Sequence, residues 1–212
     1  MDTQLLIFDL DGTLVDSRAD LAAGINHMRG HFGLAPLDLA TISTYVGNGV
    51  RKLVERSLQG AAVDFDEALQ VNTGYYFSHL TVHTQCYSGV VEGIRALSAA
   101  GHRLALLTNK PGDPSREIMK YFGLASFFDI ILGGGDLERL KPEPDGIFHA
   151  MQAVGVDAER VWMVGDHYTD LSAAQNAKVK SAFVRYGFGE KRGFKPTVSF
   201  DSFAELTVYF GE

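Results

Sequence analysis

Cysteine is almost missing from this chain. Cys86 stands alone, so no intrachain disulfide can form, and the fold has to rest on burial. A chain without a disulfide framework is expected in a reducing compartment, and the cytoplasm is the expected location. An excess of basic residues is also lacking. Nineteen Lys and Arg against 26 Asp and Glu leave a net charge of -7, which argues against a nucleic-acid partner. It does not exclude a small anionic substrate, which a local positive cluster can hold. No apolar run is long enough to span a bilayer, and Met1-Asp2-Thr3-Gln4 lacks the basic start of a secretory signal. No membrane partner is expected, and a monomer or homodimer is. Repeats and low-complexity tracts are absent too. With 212 residues, 46% of them hydrophobic, the chain suits one large domain or a core with a modest insert.

What is present is an alternation. Short apolar runs over residues 4–8, 103–108, 128–132, 161–164 and 180–184 read as buried strands. Helical patterns cover residues 90–100, 114–122, 146–154 and 169–177, and a last strand and helix fit 198–210. The expected fold class is α/β, a Rossmann-like parallel sheet covered on both faces. Residues 17–82 break the rhythm, with helical patterns over 20–32, 39–45, 50–58 and 66–80 and no convincing strand. They predict a helical cap inserted after the first strand. The expected division is a core of residues 1–16 and 87–212 and a cap of 17–86. The longest apparent loop covers 186–196 and carries Gly187, Gly189 and Gly193.

Open α/β sheets bind ligands at the carboxyl ends of their strands. The first predicted strand ends in Asp9 and Asp11, and the second in Thr108 and Asn109. The third leads through Gly133-Gly134-Gly135-Asp136 toward Lys141-Pro142, and the fourth ends in Gly165, Asp166 and Asp170. Acids gathered at one edge repel one another, and a divalent cation is the usual remedy. Magnesium takes oxygen ligands and tends to share them with substrate phosphates. A carboxylate beside a bound phosphate can act as a nucleophile. Each pair also has a plainer reading. Asp-Gly is a common turn, and Thr108-Asn109 alone could cap a helix. Taken together, the strand ends favour phosphate chemistry.

These residues resemble the haloacid dehalogenase superfamily over nearly the whole chain. Asp9 to Thr13 match its Asp-x-Asp-Gly-Thr motif, Thr108 its second motif, Lys141-Pro142 its third, and Gly165 to Asp170 its Gly-Asp-x-x-x-Asp. The resemblance implies a fold, a bound Mg2+ and a division of labour. Asp9 would be nucleophile and metal ligand. Asp11 would protonate the leaving oxygen and then activate water, with its backbone carbonyl facing the metal. Asp166 would complete the metal ligands, and Asp170 would support that loop. Thr108, Asn109 and Lys141 would bind the transferring group. The dehalogenases of this superfamily lack Asp at the position of Asp11, so phosphate monoester hydrolysis is expected.

The insert resembles the superfamily's helical cap, hinged near residues 15–18 and 86–90. Val46-Gly47-Asn48-Gly49, the segment Leu107-Thr108-Asn109-Lys110-Pro111 and Lys141-Pro142-Glu143-Pro144 are similar to bacterial phosphoglycolate phosphatases. The resemblance implies 2-phosphoglycolate as the small phosphorylated metabolite, with Arg51 or Lys52 meeting its carboxylate. Gly47 and Gly49 read either as a helix-start turn or as a substrate-facing loop. His167-Tyr168 stands in motif four where that group more often has Ser and a polar residue. Sugar-phosphate and pyrophosphate phosphatases, a β-phosphoglucomutase-like phosphomutase and an inactive scaffold protein are the competing readings. The pairs His27/His31 and His79/His83 have metal spacing without the zinc-protease Glu, and they read as solvated helix faces. Cys86 and the aromatic run Tyr75-Tyr76-Phe77 read as packing.

Overall fold

The computed structural model describes residues 3–211. In chain order, strand β1 (Leu5–Phe8) and the short β2 (Val15–Asp16) precede four helices, α1 (Arg18–His31), α2 (Leu39–Ser43), α3 (Val50–Leu58) and α4 (Phe65–Phe77). Then come β3 (Gln85–Cys86), α5 (Val90–Ala99), β4 (Arg103–Pro111), α6 (Gly112–Tyr121), β5 (Ile130–Gly134) and α7 (Asp145–Val154). The chain closes with β6 (Val161–Gly165), α8 (Tyr168–Ala177), β7 (Lys180–Val184), β8 (Val198–Phe200) and α9 (Phe203–Gly211).

Six strands form one sheet in the order β5-β4-β1-β6-β7-β8, and every pairing in it is parallel. The α/β class expected from the alternation is therefore observed. β1 is central and wholly buried. Its side chains alternate: Leu6 and Phe8 join the core under α5, α6 and α9, while Leu5 and Ile7 join the core under α7 and α8. A strand covered on both faces has no solvent side to make polar, which is why it reads as an unbroken apolar run.

β5 starts two residues later than the apolar run that announced it. Ala125–Phe127 close into a 3-10 turn. Asp129 is spent on its own neighbours, accepting from the Leu104 amide at 3.1 Å and from Arg103 Nε at 2.9 Å. β4 runs three residues longer than expected, with a register shift between Leu107 and Pro111.

The helices α1 to α4 share an apolar cluster of their own, built on Ile25, Met28, Ile42, Leu53, Val54 and Ala68. The chain enters and leaves this unit through an antiparallel pair, β2 against β3, with Val15 opposite Cys86. Two residues per strand are too few to show a period, so this ribbon left no pattern in the sequence. Beside it Asp20 is buried, and its Oδ2 accepts from the amides of His83 and Thr84 at 3.0 and 2.8 Å and from the Thr84 hydroxyl at 2.8 Å. One carboxylate thus ties the outgoing chain to the returning one. No helix among the described residues is long and apolar enough to cross a membrane.

Candidate active site

The ends of β1, β4 and β6 and the loop after β5 deliver their side chains to one place. Asp9 follows β1 directly, and its amide still donates to Val164 O at 2.9 Å. The ammonium of Lys141 lies 3.0 Å from Asp9 Oδ1 and 2.7 Å from Asp170 Oδ1. It also donates to Leu107 O at 2.7 Å. The contact with Asp9 is a close ion pair rather than an aligned hydrogen bond, and Asp9 Oδ1 is left without a hydrogen-bond partner. Burial pushes the Asp9 carboxyl up to about 6; Lys141 opposes this, and the charges of Asp170 and Asp11 add to it.

Asp166 follows β6. Its Oδ2 accepts from the amides of Phe188 and Gly189 at 2.9 and 2.7 Å. The long glycine-containing loop after β7 therefore wraps this carboxylate. Burial, followed by repulsion from Asp170 and Asp9, holds Asp166 well above the usual carboxylate range against the pull of those two amides. Gly12, at φ +85°, lies so close that a Cβ there would sit 2.0 Å from Asp166 Oδ2. Only glycine tolerates both that φ and that approach.

Asp9, Asp166 and Asp170 offer carboxylate oxygens that all lie within 4.8 Å of one another. The all-oxygen donor set, its burial, and the unpartnered Asp9 Oδ1 fit a hard divalent cation. Of the expected ligands Asp9, Asp11 and Asp166, the structure brings two into this cluster by their side chains, with Asp170 as the third carboxylate. Asp170 is already committed, with Oδ1 on Lys141 and Oδ2 accepting from the His167 amide at 3.0 Å. Asp11 turns its carboxylate elsewhere. Its Oδ1 accepts from the Ser17 hydroxyl at 2.5 Å, and its two oxygens lie 3.1 and 3.0 Å from Lys110 Nζ.

The register shift in β4 aims Thr108, Asn109 and Lys110 at the same cavity. Thr108 Oγ1 accepts from the Lys110 amide at 3.3 Å. The Asn109 carboxamide is fully engaged, donating to Gly47 O and Lys141 O at 2.9 Å each and accepting from the Lys141 amide at 2.9 Å. It stitches the β4 end to the loop after β5 and to the helical unit. The sequence by itself assigns no role to Lys110 or Ser17. Lys110 does follow the matched Thr-Asn pair directly, but nothing in the sequence reveals that a bulge turns it inward.

Arg51 is placed differently from the expectation. Its guanidinium lies 4.7 Å from the centre of the Phe65 ring and 3.8 Å from Asp66 Oδ1, on the exposed face of α3. The cavity is met by Gly49 and Val50 at the helix start and by Leu53 one turn on. A step of one residue turns a side chain about 100° around a helix, which carries Arg51 away from that face. Lys52 is likewise exposed and pairs with Glu55 at 2.6 Å.

Gly47, at φ +109°, stands against the imidazole of His167, where a Cβ would lie 2.6 Å from Cε1. The Asn48 side-chain Nδ2 donates to the Tyr168 hydroxyl at 2.8 Å. The unusual His-Tyr of motif four thus faces the helical unit. His167 is pushed down to about 4, chiefly by burial, and its Nδ1 lies 2.8 Å from Thr169 Oγ1. The histidine pairs of the helical unit are not arranged as ligands. His27 and His79 stack on the Tyr75 ring, with centroids 4.2 and 4.1 Å away. Tyr76, expected only to pack, lines the cavity together with Asn72.

Residues 6–184 match the model of the haloacid dehalogenase-like hydrolases. Over 221 aligned positions the chain is 39% identical to a phosphoglycolate phosphatase of Psychrobacter arcticus, covering 99% of this chain and 96% of that one. A phosphoglycolate phosphatase of Colwellia psychrerythraea is 38% identical, covering 98% and 96% of the two chains. Among solved structures, one described as a predicted phosphoglycolate phosphatase from Haemophilus somnus superposes with a TM-score of 0.90 at 30% identity, covering 98% of this chain and 97% of that one. The chain belongs to the haloacid dehalogenase-like hydrolase family.

Proposed function

We propose that this protein is a magnesium-dependent phosphatase that hydrolyses 2-phosphoglycolate to glycolate and phosphate through a phosphorylated Asp9. The observation that carries the reading is the state of Asp9. Its carboxylate is buried at the cavity floor, with the Lys141 ammonium 3.0 Å from Oδ1 and two further carboxylates beside it. A carboxylate that lines the cavity with its charge offset by an ammonium can attack a bound phosphate.

In this reading an Asp9 oxygen attacks phosphorus, and the bond from phosphorus to the ester oxygen breaks. Asp11, held by Ser17 and Lys110, gives its proton to the departing oxygen. Asp11 then takes a proton from water, whose oxygen attacks phosphorus and frees Asp9 and phosphate. Thr108 supplies a hydroxyl to the phosphoryl oxygens, and Lys141 offsets charge on Asp9 throughout. Asp9 and Asp166 would hold Mg2+, with Asp170 fixing Lys141 and the loop beside them. When bound, the ion would offset the crowded negative charge and polarise a phosphoryl oxygen. The helical unit, residues 17–86, acts as a cap that excludes water from the cavity, and the relatives that share this architecture support 2-phosphoglycolate as substrate.

The test is phosphate release from a panel of small monoesters with Mg2+ and with a chelator. The expected result is strongly preferred turnover of 2-phosphoglycolate that stops on chelation. Incorporation of solvent oxygen-18 into phosphate is expected as well, and its absence would point to a phosphomutase. Preference for a substrate without a carboxylate would defeat the glycolate assignment, and no turnover on any ester would defeat the phosphatase reading.

A further inference from the structure

Two polar side chains of α4 line the catalytic cavity without a well-aligned hydrogen bond. The buried stripe of this helix is Ala68, Asn72 and Tyr76, spaced by one turn each. Asn72 is 3% exposed, lines the cavity, and its carboxamide has no hydrogen-bond partner among the described residues. Tyr76 is 4% exposed, and its buried hydroxyl makes no well-aligned hydrogen bond and has only the Lys110 ammonium beside it. Buried amides and hydroxyls are rarely left unsatisfied, and an apolar pair would pack as well against Leu21 and Leu53. Polar groups kept unpaired at a cavity wall are groups reserved for a ligand.

Opposite them stands Lys110, the one Lys or Arg among the residues lining this cavity. Its ammonium lies 4.7 Å from the centre of the Tyr76 ring and is paired on its other side with Asp11. An amide N–H, a phenol O–H and an ammonium on facing walls make a short receptor with three kinds of donor and one positive charge. That combination fits a carboxylate better than a neutral hydroxyl, which makes no use of the charge.

We propose that Asn72, Tyr76 and Lys110 select the substrate by binding its carboxylate, in the role that Arg51 does not fill. The proposal rests on the phosphatase reading above. Asn72 and Tyr76 each donate one hydrogen bond, and Lys110 shares its charge between the substrate and Asp11. An ester without a second polar group leaves both α4 donors buried and unpaired, and is rejected for that reason.

The experiment compares 2-phosphoglycolate with ethyl phosphate and 2-hydroxyethyl phosphate, which replace the carboxylate by a methyl and by a hydroxymethyl group. For the wild type, kcat/KM is expected to favour 2-phosphoglycolate at least 100-fold over both. Asn72→Ala and Tyr76→Phe are each expected to lower kcat/KM for 2-phosphoglycolate about 10- to 100-fold, while changing that for ethyl phosphate less than threefold. Asn72→Asp, which sets a like charge against the carboxylate, is expected to cost more than Asn72→Ala on 2-phosphoglycolate alone. The phenylalanine variant keeps the ring, so unchanged melting separates lost recognition from lost folding. Equal losses on all three esters, or no loss on 2-phosphoglycolate, would overturn the receptor while leaving the phosphatase reading intact. A wild type that turns over 2-hydroxyethyl phosphate as well as 2-phosphoglycolate would overturn the carboxylate assignment. A wild type that hydrolyses none of them would overturn the receptor, and the phosphatase reading falls with it if the wider monoester panel is not turned over either.

Discussion

The two walls of the cavity are built on opposite principles. On the sheet side almost every polar atom is already held. Lys141 has three oxygens around it, Asp166 two amides, and Asn109 three partners. On the helical side Asn72 and Tyr76 line the cavity without a well-aligned hydrogen bond, the Tyr76 hydroxyl having only the Lys110 ammonium beside it. The difference teaches what each wall is for. Phosphoryl transfer needs groups fixed before the substrate arrives, because their reorganisation would add to the barrier. Recognition needs groups whose bonding is completed only by the right ligand.

The largest break in that comparison is Asp9→Asn. If Asp9 is the nucleophile proposed above, kcat is expected to fall by at least ~10⁴-fold, measured by phosphate release. The same substitution should not destabilise the metal-free fold at neutral pH. Burial holds the Asp9 carboxyl up at about 6 against an ordinary 3.8, so the folded state binds this proton more tightly than the unfolded chain. The contribution to stability is full below about 4 and is lost as pH rises through about 6. Melting of wild type minus that of Asp9→Asn, in chelator, should therefore fall between pH 4 and 7, and added Mg2+ should reverse the trend. A flat difference would show that Asp9 is not strained by its surroundings.

Lys141→Met comes next. It leaves Asp9 and Asp170 buried with no counter-charge, and breaking such a buried pair costs about 3–5 kcal/mol, read by urea unfolding. Activity should fall by roughly 10³-fold as well, since the transferring charge loses its ammonium. On the helical side the effects become smaller. Asp20→Ala removes the acceptor shared by His83 and Thr84 and should cost about 1–3 kcal/mol, with KM more affected than kcat if the helical unit is the cap proposed above. The smallest effect is expected at Arg51→Ala. Its guanidinium lies on Phe65 and beside Asp66 in solvent, so KM for 2-phosphoglycolate should change by less than twofold; a tenfold rise would restore Arg51 to the carboxylate.

The sheet wall was readable because its residues are local to strand ends. An apolar run of four residues followed by Asp9 puts the carboxylate at the sheet edge whatever the rest of the chain does. The same holds for Thr108 after β4 and Asp166 after β6. The helical wall resisted reading because helix faces cannot be oriented without their neighbours. Asn72 and Tyr76 share a face at i and i+4, yet only the packing of α4 on α1 shows that this face meets the cavity. Arg51 sits in the first turn of α3, at the helix start that the glycines mark, but one residue off the face that meets the cavity. Lys110 is hidden by a bulge, and the Phe188 and Gly189 amides by a loop whose sequence carries only its glycines.

By itself the amino-acid order determined the parallel sheet, the family, and which acids and lysine end up at one edge, because strand period and connection order leave few alternatives. Only the tertiary structure decided that Asp170 joins Asp9 and Asp166, that Lys110 meets Asp11, and that Asn72 and Tyr76 of α4, rather than Arg51, line the cavity. Those facts depend on angles between elements, and such angles are set by how side chains pack across the whole molecule rather than by any segment on its own.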